Sequence, residues 1–244
     1  MEHVMGTAVL FDIRDPFFPQ SALDEAVALL HYVENTFSVF KQDSEISRIA
    51  RGDLSIDDAD PRVHDVLATC EELRRKTAGA FDHCPESGLD PSGYVKGWAV
   101  ESAAGILTDA GIASFSISAG GDIVARGAPP GSEAWRVGIR DRLDADATLG
   151  TVDLRDGAIA TSGRYERGDH IWGADDRDEE LASVSIVGPD LGIADALATA
   201  VFAAGLGSIA WLGDYPDYDL IAVTSDRRVL RSPAAPWLGQ SSEH

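Results

Sequence analysis

The sequence predicts an α+β protein in which mixed or antiparallel sheets are flanked by helices. Segments of helical periodicity and short apolar runs typical of strands follow one another without strict alternation, which argues against a doubly wound parallel sheet. The chain has 244 residues, 44% hydrophobic and 25% charged, enough to bury a large core. We expect one folded region over residues 1–232, in one or two subdomains, and a flexible tail over residues 233–244.

Four main helices are predicted from apolar residues at helical spacing and from start and stop signals. The segment from Ser21 to Val33 begins with a serine cap, followed three residues later by an acidic residue. The next begins at Asp60-Pro61, where aspartate suits the cap and proline suits the first helical position. The remaining two span residues 94–110, ending at a glycine, and residues 193–204.

Strands are predicted from short apolar or alternating runs that end at turn residues. The first spans Val4 to Ile13, and the last two, residues 220–224 and 227–231, resemble a closing hairpin. The others span residues 112–118, 123–126, 134–141, 149–154, 158–161 and 181–187. Residues 77–93 are rich in Gly, Pro, Asp and Ser, so we expect this stretch to be irregular.

The chain carries a formal charge of −21, from 41 acidic and 20 basic side chains. This charge argues against binding nucleic acid or an anionic membrane through the general surface. A phosphate ligand would need local positive charge or a divalent cation, which favours a metal-bridged phosphate site. No apolar run is long enough to cross a bilayer, and the N-terminus lacks a basic stretch followed by an apolar one, so we expect a cytoplasmic protein.

The two cysteines, Cys70 and Cys84, fit a reducing compartment, because they have neither a disulfide framework nor zinc-ligand spacing. Cys70 falls on the apolar face of a predicted helix, where we expect it in the core. The neighbouring pair His83-Cys84 could suggest a thiol nucleophile, but no other feature supports that interpretation.

The segment from Gly157 to Trp172 concentrates polar groups directly after a predicted strand. Ser162, Arg164 and His170 are the types of residue that bind phosphate or move a proton near neutral pH. The alternative is a polar surface loop with a scattered histidine, and for this segment alone that alternative is favoured.

Asp195 and Thr199 lie four residues apart on a predicted helix, so their side-chain oxygens share one face among alanines. Hard oxygens at that spacing suit magnesium. The alternative is structural: Asp195 would support the helix N-terminus and Thr199 would bond back to a carbonyl.

Two further turns could bind a ligand. In Asp90-Pro-Ser-Gly93-Tyr-Val-Lys96, Lys96 falls in the first helical turn, where a basic residue opposes the helix dipole, and this placement hints that Lys96 faces an anion. An exposed lysine is the alternative. The paired glycines of Ser118-Ala-Gly-Gly-Asp122 could let the backbone approach a ligand or could simply form a hairpin, and a dinucleotide-binding fingerprint is absent.

Nine short blocks occur in an order that resembles the ApbE family, the magnesium-dependent FAD:protein FMN transferases. Each block alone is a weak signal, but together they are specific and cover most of the chain. The blocks are Met5-Gly-Thr, Asp43-Ser-Glu-Ile-Ser-Arg, Gly79-Ala-Phe-Asp, Asp90-Pro-Ser-Gly-Tyr-Val-Lys-Gly, Ala119-Gly-Gly-Asp, Trp135-Arg-Val-Gly-Ile, Ala160-Thr-Ser-Gly, His170-Ile and Ala194-Asp-Ala-Leu-Ala-Thr.

The resemblance implies a T-fold-like catalytic region and a role for each matching residue. Asp195 and Thr199 would hold Mg²⁺ through their side chains and Gly93 through its backbone carbonyl. His170 would be the base that deprotonates the acceptor. The remaining positions would bind FAD: Met5, Phe40, Ala80, Phe81, Asp82, Asp90, Lys96, Gly120, Gly121, Asp122, Thr161 and Ser162.

The implied reaction transfers FMN from FAD to a threonine or serine of an acceptor protein and releases AMP. The chain departs from the family after His170, where Trp172-Gly-Ala-Asp-Asp replaces a short Asp-Pro-x-Thr-Gly turn, and at Phe40, where transferases tend to carry tyrosine. The usual exported, lipid-anchored N-terminus is also missing. Two alternatives therefore stay open: a magnesium-dependent FAD pyrophosphatase that releases FMN and AMP, and a non-catalytic FAD-binding module.

Overall fold

A computed structural model describes residues 1–86, 88–141, 144–163 and 181–239, and it has the expected α+β architecture. The helices are α1 (Gln20–Phe37), α2 (Glu45–Ala50), α3 (Pro61–Lys76), α4 (Ser92–Asp109) and α5 (Leu191–Ala204). The strands are β1 (Glu2–Val4), β2 (Thr7–Ile13), β3 (Phe115–Ala119), β4 (Asp122–Arg126), β5 (Trp135–Asp141), β6 (Asp144–Leu154), β7 (Gly157–Gly163), β8 (Leu181–Gly188), β9 (Asp219–Thr224), β10 (Val229–Arg231) and β11 (Trp237–Leu238).

Within the described ranges, eight strands form the main sheet, in the order β1-β2-β3-β4-β7-β8-β9-β10. Each pair of neighbours in this sheet is antiparallel. A smaller antiparallel sheet has the order β11-β6-β5. Mixed connections of this kind, with helices between hairpins, are what the irregular alternation in the sequence indicates.

The two faces of the main sheet are covered by different layers. On one face, Val124 and Ala158 pack with the buried residues of the helices in one large hydrophobic core. On the other face, Ala125 and Ile159 pack with residues of the smaller sheet, including Trp135. Because neighbouring residues of a strand point to opposite faces, β4 and β7 contribute to both cores, and the described part of the chain forms three layers.

The helix starts agree with the sequence prediction at one site and differ at another. Asp60 caps α3 by accepting a hydrogen bond from the Arg62 N–H at 2.8 Å, with Pro61 at the first helical position, so that prediction is confirmed. The prediction that Ser21 caps α1 is wrong, because α1 begins at Gln20 and its cap position is Pro19, which makes no side-chain cap bond.

The strand predictions need two corrections. The run from Val4 to Ile13 is not one strand, because Met5 and Gly6 both have positive φ (54° and 71°) and form the turn of the β1–β2 hairpin. Residues 233–244, which we expected to form a flexible tail, contain strand β11. The ring of its Trp237 packs on Gly150, whose ideal Cβ position is 2.3 Å from the nearest ring atom. Residues 240–244 lie outside the described residues.

Helices α4 and α5 pack with their backbones in contact. An ideal Cβ built on Gly97 would lie 2.4 Å from the Leu191 carbonyl oxygen, and one on Gly192 would lie 3.1 Å from Trp98 Cα. Only glycine permits so close an approach. Across the described ranges, no helix has both the length and the apolar character needed to span a bilayer.

Candidate functional site

Several predicted site residues gather at one end of the main sheet. The Met5-Gly6 turn precedes β2, and the Gly120-Gly121 turn joins β3 to β4, with φ of 59° and 97° at its two glycines. Neighbours among β2, β3, β4 and β7 are antiparallel. The start of β2, the end of β3, the start of β4 and the end of β7 therefore lie side by side at the same end of the sheet. Thr7 lies beside the second turn, 3.1 Å from the ideal Cβ position of Gly120.

Asp122 links helix α4 to the sheet at this end of the strands. Its side chain is only 1% exposed, and its Oδ2 lies 2.7 Å from Lys96 Nζ. Its Oδ1 accepts a hydrogen bond from the Thr161 N–H at 2.9 Å. The sequence prediction that Lys96 faces an anion is therefore met by a protein carboxylate, and a phosphate would share the ammonium group with Asp122.

Asp195 lies at the contact between α4 and α5. It is 3% exposed, and its Oδ2 accepts a hydrogen bond from the Gly97 N–H at 3.3 Å. In an α-helix the N–H of residue 97 faces the carbonyl of residue 93. The carboxylate of Asp195 and the carbonyl of Gly93 therefore converge on the same backbone N–H, which brings two of the three predicted magnesium ligands to one place.

Thr199 is one helical turn beyond Asp195 and contacts the sheet. Its Oγ1 lies 3.3 Å from Ser162 Oγ, near the end of β7. The neighbouring Thr161 hydroxyl lies 2.8 Å from the Ser185 hydroxyl on β8. The end of β7 thus contacts α5 through Ser162 and the start of β4 through Thr161.

These contacts form a closed circuit through six predicted site residues. It runs from Lys96 to Asp122, on to Thr161 and its neighbour Ser162, then to Thr199, and along α5 to Asp195. Asp195 returns to Gly97, the chain neighbour of Lys96. Blocks from four separate parts of the sequence therefore meet in one place, as a shared site requires.

The donor set of this circuit fits magnesium. Among the described residues, no group of three or more His, Cys, Asp and Glu side chains is placed to hold a metal ion. A site here would instead combine one carboxylate, one hydroxyl and one backbone carbonyl. Such hard oxygen ligands suit Mg²⁺, which keeps positions for water and for substrate phosphates.

Met5, Asp90 and Phe40, which were also predicted to bind FAD, take no part in the contacts of this circuit. The Met5 N–H donates to Glu34 Oε1 at 2.9 Å, and Asp90 accepts from the Ser92 N–H at 3.0 Å beside the start of α4. Phe40 is 94% exposed, so its ring is accessible to a ligand.

In the segment from Ala80 to Asp82, the aromatic ring of Phe81 is turned into the core. Phe81 is buried in the core, and its N–H donates to Thr77 Oγ1 at 3.0 Å, so its ring is not accessible. Asp82 accepts from the Cys84 N–H at 3.0 Å and lies 3.5 Å from Arg74 Nε. His83 is buried, and desolvation lowers its pKa, while Cys84 is exposed but has a raised pKa through desolvation. This pair lacks the activated thiolate that a nucleophile needs.

The predicted base His170 lies outside the described residues, as do Arg164 and the altered stretch from Trp172. The strands that bound this segment end at the site, because Gly163 closes β7 and pairs with Ser183 near the start of β8. The role of His170 therefore stays a prediction from the sequence.

Two residues that support the site were not predicted from the sequence. Glu101 on α4 accepts a hydrogen bond from the Leu191 N–H at 3.0 Å and forms an ion pair with Arg126 at the end of β4. Burial raises the pKa of Glu101. The available signal was the spacing of Gly97 and Glu101, one helical turn apart on α4, but their partners on α5 lie 98 and 90 residues further along the chain.

The chain resembles solved structures of ApbE proteins over nearly its whole length. The flavin transferase ApbE from Vibrio cholerae has a TM-score of 0.79 and 20% identity, with 96% of this chain and 97% of that chain covered. The ApbE protein from Thermotoga maritima also has a TM-score of 0.79, with 21% identity and with 95% and 96% covered. At this identity the likeness defines the fold alone, which this chain shares with these ApbE proteins.

The family itself is shown by sequence. The model of the ApbE family matches residues 5–87 and 83–221, so this chain belongs to the ApbE family, as the resemblance predicted. A Rhodobacter capsulatus protein named FAD:protein FMN transferase is 38% identical over 156 residues, which are 59% of this chain and 28% of that protein. A Treponema pallidum (strain Nichols) protein of the same name is 32% identical over 166 residues, 59% of this chain and 46% of that protein. The matches thus span less than half the length of these relatives.

Proposed function

We propose that this protein is a magnesium-dependent FAD:protein FMN transferase. It transfers FMN from FAD to a threonine or serine hydroxyl of an acceptor protein and releases AMP. The observation that carries the proposal is the closed circuit through Lys96, Asp122, Ser162, Thr199 and Asp195, because a set of turns matched by chance would not meet in one place. Family membership and the names of the relatives support the same activity.

In this proposal each part of the circuit has a task. Asp195, Thr199 and the Gly93 carbonyl hold the cation, and Ser162 orients the Thr199 hydroxyl. When bound, magnesium would neutralise charge on the diphosphate and favour in-line displacement. Lys96, fixed by Asp122, offers its ammonium group to a phosphate oxygen while the buried carboxylate keeps it in place.

The transfer balances without a further reactant. The acceptor hydroxyl oxygen bonds to the phosphorus of the FMN half, and the bond between that phosphorus and the oxygen bridging to AMP breaks. AMP leaves with that oxygen, and the hydroxyl proton passes to a base, for which we propose His170. The exposed ring of Phe40 is available to stack on a planar flavin, although it lacks the hydroxyl of tyrosine.

The decisive experiment measures the mass of a threonine-containing acceptor peptide after incubation with the protein, FAD and Mg²⁺. We expect a gain equal to one FMN phosphoester, and equimolar AMP. We expect Thr199→Val to abolish the gain. Thr108→Val is the matched control, because the Thr108 hydroxyl bonds the Ala104 carbonyl near the other end of α4, and it should leave the gain unchanged.

Two outcomes would replace the proposal. Fast AMP release from FAD and Mg²⁺ without any acceptor would indicate the pyrophosphatase. Tight FAD binding with neither AMP release nor a mass gain in the peptides would indicate a binding module. The cytoplasmic location expected from the sequence stays a prediction, which fractionation of the native cells would test.

A further inference from the structure

Helices α4 and α5 are joined by two hydrogen bonds, in each of which a carboxylate of one helix accepts from a backbone N–H of the other. Glu101 of α4 accepts from the Leu191 N–H of α5 at 3.0 Å, and Asp195 of α5 accepts from the Gly97 N–H of α4 at 3.3 Å. Gly97 and Glu101 are four residues apart, and so are Leu191 and Asp195. The two bonds therefore join the same turn of α4, residues 97–101, to the same turn of α5, residues 191–195, once in each direction.

The close contact of the two backbones restricts how α5 can lie on α4. The ideal Cβ position of Gly97 is 2.4 Å from the Leu191 carbonyl oxygen, so the two backbones touch beside these hydrogen bonds. A shift of α5 by one residue along its axis would move it about 1.5 Å and turn its side chains by about 100°. Asp195 would then no longer face Gly97 and the first turn of α4.

Glu101 is itself held from a third element. Its other carboxylate oxygen pairs with Arg126 at the end of β4, and Arg126 also donates to the Ala125 carbonyl at 3.0 Å. The side chains of Glu101 and Arg126 are 17% and 21% exposed. A largely buried carboxylate with two partners is held in one position, because moving away from either partner would leave its charge poorly compensated.

We propose that Glu101 is a positioning residue that sets the register of α5 on α4 and thereby places Asp195 for the cation. It acts through the Leu191 N–H and does not contact the metal or the substrate. This inference rests on the proposed function in one respect, since it takes Asp195 as a ligand of the cation. It goes further by assigning metal affinity to a residue one helical turn away from the site.

The test measures binding of Mn²⁺, as a probe for Mg²⁺, to the whole protein by electron paramagnetic resonance of the free ion, with and without FAD. We expect Glu101→Leu to weaken Mn²⁺ binding by about 10-fold or more, as is usual when a residue that orients a ligand is lost. Glu101→Gln keeps an oxygen for the Leu191 N–H, so it should retain binding close to that of the unmodified protein.

Asp190→Ala provides the matched control. Asp190 caps the same end of α5 by accepting from the Ile193 N–H at 2.8 Å, but this bond does not reach α4. We expect Asp190→Ala to lower the melting temperature and to leave Mn²⁺ affinity unchanged. Should Glu101→Leu fail to fold, Glu101→Leu combined with Arg126→Leu removes the whole ion pair, a change that buried pairs often tolerate, and the same loss of Mn²⁺ binding is expected.

The outcomes separate this inference from the proposed function. If folded Glu101→Leu, or the double variant, loses stability yet binds Mn²⁺ as the unmodified protein does, the register role is wrong while the metal site stands. If Glu101→Gln loses binding as fully as Asp195→Asn, the role of the Leu191 bond is likewise wrong. If the unmodified protein binds no Mn²⁺, or Asp195→Asn binds it equally well, the metal site fails and the inference fails with it.

Discussion

Replacing Gly97 by alanine should separate helices α4 and α5. The added Cβ would lie 2.4 Å from the Leu191 carbonyl oxygen, 2.8 Å from its carbonyl carbon and 2.9 Å from Gly192 Cα. All three atoms belong to the backbone of α5, so no side chain can rotate away. An ordinary van der Waals contact of a Cβ atom begins at 3.4 Å, so α5 must move away by roughly 1 Å at this point.

The energetic consequence follows from three terms. Alanine gains about 1 kcal/mol over glycine in a helix interior. Overpacking of a rigid contact costs ~1–3 kcal/mol. The retreat of α5 also stretches the 3.3 Å bond between the Gly97 N–H and Asp195, and a hydrogen bond to a charged group contributes about 1.5–3 kcal/mol. The net expectation for Gly97→Ala is a loss of about 3 kcal/mol from the free energy of unfolding.

Gly105→Ala is the control on the same helix. Nothing lies within 4 Å of its ideal Cβ position, so only the helix-propensity gain remains, about 1 kcal/mol of stabilisation. Urea unfolding followed by circular dichroism measures both variants. Equal stabilisation by the two substitutions would refute the close approach of α4 and α5, and with it the placement of Asp195 against Gly97.

Two further predictions concern other parts of the molecule. Glu34 accepts from Lys41 Nζ at 2.7 Å, and this bond holds the pKa of the carboxyl below its usual value of 4.5. A lowered carboxyl pKa stabilises the fold above about pH 4.5, and this contribution is lost as the pH falls through the folded-state pKa. In urea unfolding, the difference in stability between the unmodified protein and Glu34→Gln should therefore vanish on acidification. A difference that stays constant with pH would contradict this. Burial raises the pKa of Cys70 to about 12, so a thiol reagent at mildly alkaline pH should modify exposed Cys84 first and reach Cys70 only on unfolding; equal rates in the native protein would contradict this.

Local patterns in the sequence predicted most of the elements. Asp60-Pro61 marked the start of α3 because the cap and the first helical position depend on adjacent residues alone. The β1–β2 hairpin was missed because Met5 adopts a positive φ that a non-glycine residue rarely takes. Strand β11 was missed because it is two residues long and depends on pairing with Val152 and Thr151, far away in the chain.

The members of the candidate site were proposed from the sequence, whereas the contacts between them came only from the structure. Asp195 and Thr199 show their common face through helical spacing, and the resemblance to a family added the other positions. That Lys96 pairs with Asp122, and that Glu101 receives the Leu191 N–H, depends on three elements meeting in space. A single sequence contains no local signal for such pairings.

The two outermost strands of the main sheet, β1 and β10, are each three residues long. Short borders offer little template for backbone pairing between molecules, which is how sheet proteins nucleate fibrils. The formal charge of −21 adds electrostatic repulsion between copies at low ionic strength. Because salt screens this repulsion, we expect light scattering of a concentrated solution to show more self-association when salt is added.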